Sequence, residues 1–278
     1  MSERASQRPE AKPARGILRQ PPGVYHQLIV PSAKLAPLLE HHWFVRWSVP
    51  RPMFTETLPH PTVHIVFERQ GRTPQRAELF GVTTGRFVKQ LRGGGDAFGV
   101  KFRPAAHLAL LAIDSRALTD RVTPLSELFG SDGERLARDI AAAVDLDARV
   151  ALTESFLTAH TRALPEEAAR FRDLVEHIAR DRQVLRVEDA AKLAELDVRT
   201  LQRRFRKLVG VSPKWVIQRY RMHEAAEALK QPEPPALAEL AVRLGYYDQA
   251  HFSREFKAVV GSAPRLFAAA ARAERQRK

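Results

Sequence analysis

Arg199, Gln202, Arg203 and Arg206 stand at i, i+3, i+4 and i+7, so a helix through them carries all four on one face. Arginine and glutamine can bridge guanine O6/N7 and adenine N6/N7 in a DNA major groove through paired hydrogen bonds. Fifty-one residues on, Ala250, Ser253, Arg254 and Lys257 occupy the same spacing, flanked by Gln249 and His251. This second face has shorter and fewer charged side chains, so less base readout is expected of it. From Arg199 to Arg221 the chain carries eight bases and no Asp or Glu. Such a run on its own is most simply a solvated face; the recurrence of its helix 51 residues later, with Arg254 in register, favours a surface that reads a polyanion.

Other chemistries find less support. The chain has no cysteine, which excludes disulfides, a thiolate nucleophile and Cys-ligated metals. His41, His42, His60 and His64 are the candidate metal ligands, but adjacent residues of a strand point to opposite faces. Packed or surface histidines are the expectation, with no metal site and no cofactor. Trp43, Val45 and Trp47 share a strand face and are expected in a core. Gly93-Gly94-Gly95 is expected to be a flexible turn. Neither a phosphate-binding glycine loop nor a serine nucleophile elbow is present, so an enzyme is not expected.

The elements that would position the two faces come as a duplicated unit. With a shift of 51, Glu188, Ala190, Leu193, Arg203, Phe205, Val209, Gly210 and Pro213 each meet an identical residue, without a gap. Each unit reads as a short apolar-periodic helix, a tight turn and a second helix ending at Gly210 or Gly261, a helix-turn-helix plan. Leu201, Phe205 and Leu208, and in the second copy Phe252, Phe256 and Val259, form the buried stripes. Ser212-Pro213 opens a helix that continues from Lys214 to Lys230, and prolines at 232, 234 and 235 stop it. Its 17 residues at about 1.5 Å each give roughly 26 Å between the units.

The 278 residues carry 45 Lys and Arg against 32 Asp and Glu, a net charge of +13 that points to a polyanion partner. The total does not discriminate, because residues 165–278 contribute +7 and residues 1–164 contribute +6. No run approaches the length of a membrane span, and Met1 to Arg15 lacks the apolar stretch of a secretory signal. A soluble cytoplasmic chain with no membrane partner is expected.

Residues 165–270 resemble the DNA-binding domain of the AraC/XylS family of bacterial transcription regulators. The motif residues are Ala190-Ala191-x-Leu193, Leu201-x-Arg203-x-Phe205-Arg206-x-x-x-Gly210-x-Ser212-Pro213 and Ala241-x-x-x-Gly245-Tyr246-x-Asp248-Gln249-Ala250-His251-Phe252-Ser253-Arg254-Glu255-Phe256-Lys257-x-x-x-Gly261-x-x-Pro264. The resemblance implies a further helix over Glu166 to Arg180 and DNA reading by the second helix of each unit. The matched positions are Arg199, Gln202, Arg203, Gln249, His251 and Arg254; Thr200, Arg206, Ser253 and Lys257 complete the expected DNA-binding set. Arg204, Arg219 and Arg221 are expected on phosphates or in solvent. Where the family often caps its recognition helix with a small or hydroxyl residue, this chain has Asp197-Val198, and Asp197 is the candidate cap. Leu35-x-Pro37, His42-Trp43, Leu58-Pro59-His60, Gly81-Val82-Thr83, Gly99 to Pro104 and Leu118-Thr119-Asp120 resemble an N-terminal domain without settled function found in a subset of that family.

The expected fold is α+β: a β-rich N-terminal domain with trailing helices, then an all-α tandem helix-turn-helix domain. The expected divisions are a disordered tail at 1–16, a regulatory or effector-sensing domain at 17–162, and a DNA-binding domain at 165–270. The last holds units at about 186–210 and 237–261, and a basic, disordered tail follows at 271–278. Strands are expected over Val63 to Phe67, Phe87 to Leu91 and Phe98 to Phe102. Helices are expected over Ala105 to Ala112, Leu125 to Phe129, Arg135 to Val144 and Val150 to Arg162. The expected function is a sequence-specific regulator reading promoter DNA through two helices in successive major grooves. The alternatives are a non-specific architectural DNA binder, or an N-terminal enzyme or metal-binding domain fused to a DNA reader. RNA polymerase, a small-molecule effector and a second copy of the chain are the further expected partners.

Overall fold

In the computed structural model residues 16–276 are described. The tail expected at 1–16 lies outside them except for Gly16, as do the last two residues of the basic tail.

Apolar and polar residues alternate along stretches such as Val45 to Val49, and alternation is the pattern of a sheet with two unlike faces. β1 (Ile17–Arg19) and β2 (Val24–Ile29) both pair with the long β3 (Leu39–Thr57). β4 (His64–Gln70), β5 (Arg76–Phe80), β6 (Phe87–Phe102) and the short β7 (Val122–Pro124) complete one antiparallel sheet, ordered β3-β6-β4-β5-β7 beyond β1 and β2.

Two expected strands, Phe87 to Leu91 and Phe98 to Phe102, are one. The triple glycine is not a flexible turn but the middle of β6. The register explains two of the glycines of β6, Gly95 and Gly99: Trp43 faces Gly99 and Trp47 faces Gly95 across the β3–β6 ladder. A Cβ on either glycine would stand inside an indole ring. The two tryptophans thus require glycine opposite them, one of the few reasons for glycine within a strand. Trp47 is buried with Val49, Leu91 and Ala97, and Trp43 and Val45 pack against them, as expected of that face.

The other face carries Phe44, Ile65, Phe67, Phe98, Val100 and Phe102. Helices α1 (Leu125–Phe129), α2 (Ser131–Ala142) and α3 (Leu146–His160) cover it. Ala105 to Ala112 forms a 3-10 turn, Ala106–Ala109, rather than the expected α-helix. His42 lies fully buried on this face, stacked on Phe98, with Nε2 3.1 Å from Glu154 Oε1. Burial opposes the charge of Glu154, but hydrogen bonds from His42 and from the Ser32 N–H overcome it and hold the carboxyl at about 2.

The C-terminal part is helical throughout. α4 (Glu166–Arg180) has the bounds the resemblance implied. The first unit is α5 (Val187–Leu193) and α6 (Val198–Leu208), and α7 (Pro213–Leu229) connects it to α8 (Leu237–Arg243) and α9 (Gln249–Val260). α10 (Pro264–Arg275) corrects the expected tail, since Arg272 to Arg275 are helical. A proline at N1 starts this helix, Phe267 anchors it in the core, and four consecutive alanines favour its continuation.

The two halves share apolar cores. Val82 and Ala105 are buried with Phe171, Leu201, Phe205 and Val216 around the first unit. Leu58 is buried with Leu240, Phe252, Phe256 and Phe267 around the second. Polar contacts reinforce the junction. Ser115 Oγ donates to the Leu208 carbonyl at 2.8 Å and Thr119 Oγ1 to that of Gly210 at 2.9 Å. Arg86 Nη1 donates to the Val260 carbonyl at 3.3 Å. The trailing ends of α6 and α9 are therefore both held by the N-terminal half. His60 and His223 stack across the same junction with ring centroids 4.1 Å apart.

Candidate nucleic-acid interface

α6 begins where Asp197 accepts the Thr200 N–H at 2.9 Å, the side-chain cap expected of that aspartate. Backbone N–H donors, chiefly that of Thr200, hold its carboxyl below the usual range. The sequence reading overlooked the equivalent cap. Asp248 accepts the His251 N–H at 2.7 Å, and it stands 51 residues after Asp197.

Leu201, Phe205 and Leu208 point inward from α6, with Phe205 edge-on to Phe171. Arg199, Arg203 and Arg206 are exposed, and Gln202 and Thr200 are partly buried beside them. On α9, Arg254 and Lys257 are exposed. None of these five cations forms an ion pair among the described residues, so their charge is available to a partner. Gln249, His251 and Ser253 are partly buried. His251 is drawn into a polar cluster: its Nε2 lies 3.5 Å from Glu255 Oε1. Tyr246 Oη donates to Glu255 Oε2 at 2.8 Å, and Gln218 Nε2 donates to Oε1 at 3.3 Å.

The acid-free stretch divides by tertiary position. Arg204 pairs with Glu167 at 3.1 Å. Arg219 and Arg221, expected on phosphates or in solvent, are buried. Arg219 donates to the Thr84 carbonyl and lies 4.4 Å from the Trp215 ring centroid; burial brings its guanidinium down to about 10. Arg221 donates to the carbonyls of Asp181 at 3.0 Å and Val184 at 2.7 Å. Main-chain carbonyls thus take both guanidinium groups, and Arg221 also pairs with Glu224 three residues on, at 3.5 Å.

The two units match with two offsets. α6 and α9 start 51 residues apart, from Val198 to Gln249, but α5 and α8 start 50 apart, from Val187 to Leu237. Both first helices close alike: Leu196 N–H donates to Ala191 O at 3.0 Å and Tyr246 N–H to Ala241 O at 2.9 Å. In both, the preceding residue is left-handed, Glu195 at φ 54° and Gly245 at φ 79°. This is the closure in which the second residue past a helix returns to its last turn. The identities at 188, 190 and 193 therefore fall one residue out of structural register, and the turn of the second unit is one residue longer.

Residues 190–270 match the helix-turn-helix domain family, and residues 27–124 match a domain of unknown function, DUF6597. An uncharacterized HTH-type transcriptional regulator of Haemophilus influenzae is 26% identical over 144 residues, 49% of this chain and 48% of that protein. The chain thus spans about half the length of the curated relative it matches. Among solved structures, the DNA-binding domain of the global transcriptional factor AdpA, in complex with a target DNA, is 28% identical. That match covers 40% of this chain and 97% of AdpA's, with a TM-score of 0.33. The C-terminal domain of AraT, a response regulator from Geobacillus stearothermophilus, is 25% identical over 39% of this chain and 88% of its own, at a TM-score of 0.34. ToxT from Vibrio cholerae is 12% identical over 82% and 97%, at 0.43. The chain thus carries a helix-turn-helix domain at its C-terminal end with a DUF6597 domain ahead of it, and it is similar to AraC-type transcription regulators.

Proposed function

We propose that the chain selects particular promoter sequences by placing α6 and α9 in successive major grooves of one duplex. The observation that carries this reading is the exposed, unpaired cationic face of α6, repeated in shorter form on α9, with each helix started by its own aspartate cap. The contacting set is Arg199, Thr200, Gln202, Arg203 and Arg206 on α6, and Gln249, His251, Ser253, Arg254 and Lys257 on α9. α7, with 17 residues, spans about 26 Å, short of the ~34 Å turn of B-DNA. The duplex therefore bends toward the protein to meet both helices. Residues 17–162 act as the regulatory part, taking a small-molecule effector or a second copy of the chain, and residues 165–270 as the DNA-binding part, with RNA polymerase as a further partner. The chain works in the cytoplasm and is not an enzyme; among the described residues no helix is long and apolar enough to cross a membrane.

Selection of bound duplexes from a random pool by the full chain tests the reading. Two half-sites about 10 base pairs apart are expected, the one facing α6 better defined. A chain that retains duplexes at low salt but enriches no sequence is a non-specific binder, and the proposal then falls.

A further inference from the structure

The change of offset from 50 to 51 assigns the extra residue of the second turn. Glu195 corresponds to Gly245 in left-handed backbone, Leu196 to Tyr246 in the closing hydrogen bond, and Asp197 to Asp248 at the cap. Only Tyr247 has no counterpart. Its neighbour is tied inward: the Tyr246 ring packs 5.5 Å from that of Phe252 and its hydroxyl is bound to Glu255. Tyr247 is 93% exposed, more than any other large apolar side chain among the described residues. Its hydroxyl has no hydrogen-bond partner among them. It stands one position before the cap of α9, beside the first helical turn. There the outer position is Ala250, where the first unit has Arg199. The second unit has lost a long polar side chain at this end and gained an inserted phenol.

We propose that Tyr247 is a further DNA-contacting residue, its hydroxyl donating to a backbone phosphate oxygen beside the half-site of α9. The proposal rests on the DNA-binding reading above. Tyrosine is among the side chains that hydrogen-bond phosphates and so set register without reading sequence. A phenol also brings no charge to exchange for a counterion, so its contact adds affinity without steepening the salt dependence, unlike an arginine.

The test compares the full chain with its Tyr247→Phe variant on the selected duplex and on a scrambled one, across a salt series. The exposed ring remains, so an unchanged thermal transition is expected. Affinity should fall roughly three- to tenfold, by the same factor on both duplexes. The slope of log affinity against log salt should stay as in the wild type, whereas removing a phosphate-bound cation lowers it by about 1. Wild-type affinity in the variant overturns the proposal, as does a loss confined to the selected duplex or a reduced slope. Arg203→Ala separates the two readings. If it weakens the selected duplex while Tyr247→Phe does not, only the tyrosine assignment fails; if the wild type binds neither duplex, both fail.

Discussion

Arg203 and Arg204 are neighbours in the chain and differ in situation. Arg204 is engaged by Glu167 of α4, while Arg203 is exposed and unpaired. Arg203→Ala should cost about 1–3 kcal/mol of binding at one base position and relax selectivity there. Affinities for duplexes carrying each single base change would measure it; an equal loss on every sequence would mark a phosphate contact instead. Arg219→Met should act on the fold, since it leaves the partly buried Thr84 carbonyl without its donor. A loss of about 1–3 kcal/mol in urea unfolding is expected. The sequence placed both arginines in one acid-free run and offered no way to tell them apart. Their difference is set by carbonyls and carboxylates that only tertiary structure brings near.

At the scale of elements, the helices were the most legible. Glu166–Arg180 matched the bounds that the resemblance implied, and the inward stripe of α6 matched because a 3.6-residue period is written in consecutive side chains. Phe205→Ala should therefore open a cavity and cost about 3–5 kcal/mol, read as a lower melting transition. The caps were half legible: Asp197 was expected and Asp248 was not, although the repeat itself points to it. Asp248→Ala should cost about 1 kcal/mol and weaken DNA binding through α9. The sheet was less legible. Three glycines in a row read as a break because the partner of Gly95 is invisible locally; it is Trp47, some fifty residues earlier, brought opposite by the β3–β6 register. The candidate binding set was legible as residue types at helical spacing. The engagement of Glu255 by Tyr246 and by Gln218 from α7 was not, whereas its pairing with His251 is an i, i+4 contact that the spacing itself allows.

For the whole molecule, the junction between halves decides stability. Val82, Ala105 and Leu58 close the cores of the helical units, so a fragment of residues 165–278 should bind DNA yet melt below the full chain. Buried histidines make the assembly acid-sensitive. Burial lowers His64 and His223 to about 3, and His41 and His107 to about 4, against 6.5 in an unfolded chain. Between those values the unfolded state binds more protons. The stabilisation is thus complete above about pH 6.5 and declines as pH falls toward 3 to 4. Urea midpoints at pH 7.5 and pH 5 should show the drop; equal midpoints would contradict burial of neutral rings. Ser115 and Thr119 hold the end of α6 while Arg86 holds the end of α9, so one body grips both reading helices. If α6 and α9 each read a half-site as proposed, the two half-sites should be coupled in energy. Base changes in one should cost different amounts according to whether the other is intact, and that non-additivity should shrink when Arg86 and Thr119 are both replaced by alanine. On the proposed reading, a promoter would be scored on both half-sites jointly, so that the tolerance for a weak one depends on the strength of the other.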